Sequence, residues 1–396
     1  MFKNIEKAPP DAILGLNEAF KNERSSLKIT LGVGVYRDEY GNTPILESVK
    51  KAEKIILDQE KTKNYLPIEG SEEYTSKVKE LVFGKNSHLI NNKRVVTVQS
   101  SGGTGALRIA GDFLHKFFPR SKIWLSDPTW ENHKQVFNSA GMNTDTYPYY
   151  DKNSKWLDFN GICEKLNNIP SEDIVLFHAA CHNPTGIDPN KEEWVKISNI
   201  VSEKNLLVLF DFAYQGFGNG LDEDAYAVRL FADKVKNFMV ANSFSKNFGL
   251  YNERVGGLSV IANTPEEAEN ILSQLKICIR TLYSNPPNHG ASIVSTILND
   301  PDLHKQWLNE LKVMRDRINH CRKLFVDELK SHGIKENFDF VLKQKGMFSY
   351  SGLTSEQVKT LKEKYALYMV SSGRINLAGI NDRNIARIAQ AIAKVL

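Results

Sequence analysis

Four short clusters in this 396-residue chain combine residue types that can do chemistry. In Asn242-Ser243-Phe244-Ser245-Lys246-Asn247-Phe248-Gly249 a lysine sits between an apolar run and a glycine. Desolvation disfavours the charged form of such an amine, and a neutral lysine is a nucleophile or a base. Eight residues on, Arg254 precedes Val255-Gly256-Gly257 and has the fork of donors that clamps an anion. By composition alone, both cations also read as ordinary surface residues. Asp211 closes the apolar run that begins at Leu206, ahead of Tyr214, so its carboxylate either needs a cationic or donor partner in a near-buried setting or caps the next element. The third cluster, Ser101-Gly102-Gly103-Thr104-Gly105-Ala106, precedes an apolar helix from Leu107 to Phe118. Glycines and free N–H groups at a helix start suit a phosphate, although the spacing is neither the dinucleotide fingerprint nor the P-loop, and a glycine turn without a ligand fits it too. The fourth is His178 with Cys181-His182-Asn183-Pro184-Thr185-Gly186. Its histidines and cysteine invite a metal, but the run before them is strand-like and Pro184 stops a helix, so no metal is expected.

Together the clusters offer an activated lysine, a buried carboxylate, an arginine and an anion cradle. Pyridoxal 5′-phosphate needs these groups: an imine-forming lysine, an acidic partner for the pyridine nitrogen and a phosphate site. The joint arrangement is far more specific than any one part.

Such residues must be held at strand ends, where open α/β sheets place their ligands. Short β-branched or apolar runs at Arg94 to Val98, Lys122 to Ser126, Asp173 to His178, Leu206 to Asp211, Phe238 to Ala241 and Gly257 to Ile261 alternate with helically patterned segments. This rhythm implies an α/β fold, a mostly parallel sheet covered by helices. Ahead of it, Met1 to Ile13 with Pro9 and Pro10 reads as an extended arm, and Glu47 to Asp58 as an amphipathic helix. After about Ala291 the rhythm changes. Ile293 to Ser331 is one long helix-favouring stretch, followed by a strand at Phe338 to Leu342, a turn at Gly346, the segment Gly373 to Leu377 and a last helix from Asp382 to Leu396. A second, smaller domain is predicted there.

Composition excludes several function classes. The surplus of basic residues, 51 against 47 acidic, gives a formal charge of +4, too small for a nucleic-acid tether. With 41% hydrophobic and 25% charged residues the chain is neither disordered nor a membrane protein. Cys163, Cys181, Cys278 and Cys321 show no metal or redox spacing and read as reduced thiols. No apolar run approaches the ~18 residues of a membrane span, and Lys3, Glu6 and Lys7 stand where a signal core would be apolar. A cytoplasmic protein is expected.

Beyond these readings, His178 to Asp188, Phe210 to Gly216, Ser243 to Gly257, Tyr283 to Gly290 and Gly346 to Gly352 resemble the class I pyridoxal-phosphate-dependent aminotransferases of the aspartate aminotransferase family. The resemblance runs from Met1 to the C-terminus and leaves no room for a DNA-binding appendage. It implies the type I fold: a mostly parallel seven-stranded sheet covered by helices, with a second, smaller α+β domain. It also implies an N-terminal arm at 1–14, a large cofactor-binding domain at 44–313, and a discontinuous small domain made of 15–43 and 314–396.

Roles follow from the resemblance residue by residue. Lys246 resembles the lysine that holds the cofactor as an internal aldimine and carries the proton between Cα and the cofactor. Asp211 resembles the carboxylate that keeps the pyridine nitrogen protonated, with His133 and His178 behind it. Tyr214 and Asn183 would hydrogen-bond the ring's phenolic oxygen, and Trp130 would stack on the ring. Gly102, Gly103, Thr104, Ser243 and Arg254 would hold the phosphate, joined by Tyr65 of the neighbouring subunit in a homodimer. Arg374 resembles the clamp for the substrate α-carboxylate, and Arg280 the residue that reaches across the dimer to the distal carboxylate. Two forks at opposite ends measure a four- or five-carbon diacid. Gly34 and Phe348 would line the same pocket.

The resemblance thus implies ping-pong transfer of the amino group from L-aspartate to 2-oxoglutarate. An aromatic relative keeps both arginines and also accepts phenylalanine and tyrosine. Pocket-rim positions Val35, Arg37, Thr43, Asn64, Thr104 and Asn285 look like the aspartate type or are close to it, with Arg37 where lysine is more familiar. The segments Asp127 to His133 and Val255 to Val260 look like the aromatic type, which keeps dual specificity as the alternative. A lyase or decarboxylase on the same cofactor, or a module that only binds a phosphorylated ligand, are the readings of a different class.

Overall fold

Seven strands form one sheet in the computed structural model, which describes residues 2–7 and 14–396. In chain order they are β1 (Val95–Ser101), β2 (Lys122–Asp127), β3 (Asn143–Pro148), β4 (Ile174–His178), β5 (Leu207–Phe212), β6 (Phe238–Ser243) and β7 (Val255–Ile261). Side by side their order is β1-β7-β6-β5-β4-β2-β3. β7 is antiparallel to β1 and β6, and every other neighbouring pair is parallel. The α/β fold and the seven-stranded, mostly parallel sheet are as expected.

The central strands form from continuous apolar runs because helices cover both of their faces. Every residue of β4, β6 and β7 is buried. The two-residue period of β5 sends Val208, Phe210 and Phe212 into one core cluster and Leu209 into another on the opposite face. The second cluster includes Leu107 and Ala110 of the helix Gly102–Phe117 and Leu275 and Ile279 of the helix Pro265–Leu282. The edge strand β3 had no counterpart among the sequence runs. It reads Asn-Thr-Asp-Thr-Tyr-Pro, with only Tyr147 fully buried, so it carries no apolar signal.

Three other expectations are corrected. The stretch from Ile293 to Ser331 is two helices, His289–Asn299 and Pro301–Ser331, because the Asp300 side chain accepts from the Asp302 and Leu303 N–H groups and Pro301 opens a new helix. The expected strand at Phe338 to Leu342 is a helical turn, Phe340–Lys343. Phe338 and Val341 are buried while Leu342 is 44% exposed, a three-residue spacing and not the alternation of a strand. The nearby strand is Phe348–Tyr350, which pairs antiparallel with Arg374–Asn376. The last helix is confined to Ile385–Ala393.

Ile29–Thr30 pairs in parallel with Leu367–Tyr368, so an early segment is stitched to the C-terminal part of the chain. The helix Pro301–Ser331 passes through 313/314, the expected domain border, without a break. Most of the extended arm, Met1 and residues 8–13, lies outside the described residues; Phe2–Asn4 forms a single 3-10 turn. Among the described residues no helix is long and apolar enough to cross a membrane.

Candidate active site

The C-terminal ends of β4, β5 and β6 converge, and each delivers one residue of interest. His178 ends β4 and stands in register with Asp211 of β5, and Lys246 follows β6 by three residues. The start of the helix Gly102–Phe117, which follows β1 directly, arrives at the same end. These ends surround a cleft of about 910 Å³. The cleft is lined by Gly34, Gly103, Thr104, Trp130, Asn183, Asp211, Tyr214, Ser243, Lys246, Arg254, Phe348 and Arg374, all of them site candidates from the sequence.

Asp211 is buried, and His133 Nε2 lies 3.1 Å from its Oδ2. His133 is fixed in turn by Thr129 Oγ1, 2.8 Å from its Nδ1. Burial alone would raise the Asp211 pKa, but the His133 hydrogen bond and the Lys246 charge hold it below the usual carboxylate value. His178 lies beside His133, with ring centroids 5.3 Å apart, and among the described residues neither of its nitrogens has a hydrogen-bond partner. Burial pushes its pKa down to about 3, so it is neutral near pH 7. His133, His178 and Asp211 bring potential ligand atoms within 4.8 Å of one another. His182, from the cluster that invited a metal in the sequence, engages both of its nitrogens elsewhere. Ser126 Oγ lies 2.9 Å from Nε2 and Thr185 Oγ1 lies 2.8 Å from Nδ1.

Lys246 is partly exposed to the cleft, its Nζ 4.6 Å from the centre of the Tyr214 ring. Desolvation lowers its pKa to about 8 against the pull of Asp211, with Arg254 and Arg374 adding repulsion. Burial pushes the Tyr214 hydroxyl well up, so it stays protonated and can donate. The activated lysine and the stably ionised carboxylate are therefore on opposite sides of their usual behaviour, a pattern that burial and neighbours create at reactive sites.

The anion cradle is equally built. Ser101, the N-cap of the helix Gly102–Phe117, gives no side-chain bond to the free N–H groups behind it. At Gly102, where φ is +71°, a Cβ would lie 2.6 Å from Arg254 Nη2, so only glycine leaves space for the guanidinium at the helix start. Arg254 Nη1 donates to Tyr251 O at 3.1 Å and Ser245 Oγ at 3.3 Å, which leaves other donors of the fork free. Helix N–H groups, a guanidinium and the Ser243 hydroxyl thus fit a phosphate.

Arg374 is 1% exposed. Its Nη1 donates to Asn183 Oδ1 at 3.0 Å, its Nη2 to Gly32 O at 2.8 Å, and its guanidinium lies 4.2 Å over the Phe348 ring. A Cβ at Gly34 would strike Phe348 at 2.7 Å, so this wall has no spare room.

Two candidates are not brought into the cleft by this chain. Tyr65 is 91% exposed, and Arg280 is exposed with its Nη1 donating to the Ser284 hydroxyl and to Asn285 Oδ1. They lie on one surface patch, because Asn285 Nδ2 donates to Leu66 O at 2.8 Å. The cleft also contains residues to which the sequence reading gave no role: Glu131, Asn132, Gln135, Ser245 and Tyr251. Ser245 and Glu131 adjoin Lys246 and Trp130, so proximity in sequence was their only signal.

A sheet whose strand ends gather an amine, a carboxylate and an anion cradle defines a class. The chain belongs to the aminotransferase class I and II family, which matches residues 26–392. Over all 396 residues it is 52% identical to the aspartate aminotransferase of Haemophilus influenzae and 52% identical to that of Escherichia coli, with both chains covered in full. The fold superposes with a TM-score of 0.97 on an aromatic-amino-acid aminotransferase from Burkholderia pseudomallei covalently bound to pyridoxal phosphate. That protein is 48% identical, and the match covers 100% of this chain and 99% of the other.

Proposed function

We propose that the chain is a pyridoxal-5′-phosphate-dependent aspartate aminotransferase, transferring the amino group of L-aspartate to 2-oxoglutarate to give oxaloacetate and L-glutamate. The observation that carries this is one cleft joining a lysine of lowered pKa, an ionised buried aspartate and a buried, carboxylate-ready arginine. When bound, the cofactor supplies an electron sink for the carbanion left when the substrate loses its Cα proton.

The chain's own residues do the rest. Gly102, Gly103, Thr104, Ser243 and Arg254 would hold the phosphate, and Asp211, backed by His133, would keep a proton on the pyridine nitrogen. Trp130 would stack on the ring, while Asn183 and Tyr214 would donate to its phenolic oxygen. Arg374 takes the α-carboxylate in a fixed orientation, so that little rotational freedom is left to lose in the reaction. Lys246 would hold the cofactor through its amine, and as a free amine with a pKa of about 8 it can both accept and return a proton near neutral pH.

The exposure of Tyr65 and Arg280 supports a homodimer in which each chain completes the other's cleft. Arg280 then takes the distal carboxylate and Tyr65 the phosphate. We place the enzyme in the cytoplasm. We divide the chain into an arm at 1–14, a large domain at 44–313 and a small domain made of 15–43 and 314–396; the pairing of Ile29–Thr30 with Leu367–Tyr368 supports joining the last two segments.

A dual dicarboxylic and aromatic specificity is the second reading, favoured by the 48% identity to an aromatic-amino-acid aminotransferase. The polar rim supports the first, since Asn285 ties Arg280 to the Leu66 backbone. A panel of amino donors against 2-oxoglutarate tests both. Aspartate is expected to exceed phenylalanine and tyrosine in kcat/KM; aromatic donors equal to aspartate would select the second reading, and no transfer from either would exclude both.

A further inference from the structure

Among the charged residues lining the cleft, Glu131 alone has no task in the proposed reaction. It follows Trp130 in the loop between β2 and the helix His133–Ser139. Its Oε2 lies 3.6 Å from Arg374 Nη1, an ion-pair distance too long for a hydrogen bond. That oxygen is buried with no hydrogen-bond partner among the described residues, although the side chain as a whole is 31% exposed. Arg374, for its part, has two donors on Asn183 Oδ1 and Gly32 O, and its Nε is unpaired. A buried carboxylate oxygen without a donor and a buried guanidinium with unused N–H groups are both poorly satisfied, yet they stop short of bonding each other. A ligand carboxylate would satisfy the arginine better than Glu131 does.

We propose that Glu131 is a positioning residue that competes with the substrate α-carboxylate for Arg374 and thereby sets the affinity for every substrate; this rests on the reading of Arg374 as the α-carboxylate clamp. Two carboxylates on one guanidinium repel, so an arriving substrate has to push the Glu131 side chain toward its exposed side. The cost falls on binding before any bond changes, so it raises KM and spares kcat. It is independent of the substrate side chain, since aspartate, glutamate, phenylalanine and their 2-oxo acids share the carboxylate that Arg374 takes. In a ping-pong cycle the product carboxylate leaves the same arginine, and Glu131 returns to assist its departure.

The test uses holoenzyme with Glu131→Gln and Glu131→Ala, and succinate as an unreactive carboxylate probe followed through the cofactor absorption. In both variants KM for aspartate and for 2-oxoglutarate should fall about 3- to 5-fold, the size of a partly exposed charge pair, with a smaller change in kcat. The succinate dissociation constant should fall by the same factor. Without ligand the melting temperature should drop, because a buried arginine has lost its counter-ion, while the rise produced by succinate should grow. Lower stability with tighter binding is the signature of competition. A residue that merely shaped the loop would lower the melting temperature and weaken succinate together, and that result, or an unaltered succinate affinity, overturns the proposal. Glu131→Asp, which keeps the charge, should remain closer to wild type than to Gln; behaviour like Gln would show that charge is not the cause. If the wild-type holoenzyme neither binds succinate nor transaminates aspartate, the reading of Arg374 fails first, whatever Glu131 does.

Discussion

Arg374 and Arg280 are the same residue type in opposite settings. Arg374 is almost wholly buried, held by a carbonyl and an amide oxygen and stacked on a phenylalanine, all within its own chain. Arg280 is exposed and, among the described residues, tethered to Ser284 and Asn285 a few residues away. A fork that is already oriented and desolvated gives up little freedom on binding and meets its carboxylate in a low dielectric. An exposed fork of the same chemistry is screened and mobile, and it becomes a comparable clamp only when something covers it. On the proposed roles, the half of the site that handles groups common to all substrates is preformed within one chain, whereas the half that reads the second carboxylate needs a surface to close on it.

The preformed half should fail most completely. Lys246→Ala is expected to lower kcat by at least ~10⁴-fold and to abolish the near-visible absorption of the cofactor–lysine bond, since it removes both nucleophile and proton carrier. Retention of the band would take Lys246 out of that role. Next, Arg374→Ala should cost ~10³-fold in kcat/KM for aspartate and phenylalanine alike. Arg280→Ala should cost ~10²-fold for aspartate and only a few-fold for phenylalanine. Equal losses for both donors in Arg280→Ala would break the contrast. A smaller effect belongs to Tyr65→Phe, which removes one hydrogen bond to a charged phosphate and should weaken cofactor binding ~10-fold, measured by equilibrium dialysis.

How much of this was legible in the sequence follows the same division. Lys246, Asp211 and Gly102 to Thr104 were readable because strand ends in an α/β fold are local events, marked by an apolar run that stops at a polar residue or a glycine. β3 escaped because it is an edge strand whose outward residues answer to solvent. The helical turn at Phe340–Lys343 escaped because Phe338, Phe340 and Leu342 alternate as in a strand while Phe338 and Val341 also suit a three-residue period, and tertiary packing made the choice. The seventh strand came from resemblance, not from pattern, and the proposed arginine roles and shared dimeric site rest on resemblance as well. Glu131 had no such help. Its significance depends on lying near Arg374, 243 positions away in the chain, and no local pattern encodes that encounter.

The buried and exposed arginines should also differ in what they do to Lys246. In cofactor-free protein the amine has a pKa of about 8, lowered first by burial and further by Arg254 and Arg374, with Arg280 outside that set of charges. Only the neutral amine attacks an aldehyde, so the rate of reconstitution with pyridoxal phosphate should rise with pH and level off above about 9, gaining ~10-fold from pH 7 to 9. The linkage has the same sign. Between about 8 and the ordinary lysine value the unfolded chain keeps a proton that the folded chain has lost, so this group makes the cofactor-free protein more stable as pH rises through that window. Removing a nearby cation eases protonation of Lys246. Arg374→Ala should therefore move the reconstitution profile to higher pH, while Arg280→Ala leaves its midpoint in place. Rapid mixing at a series of pH values, with the absorption of the lysine adduct as signal, measures both midpoints. Identical profiles for the two variants would mean that Arg374 makes no contribution to the Lys246 pKa, and that burying Arg374 matters for holding a carboxylate and not for tuning the amine.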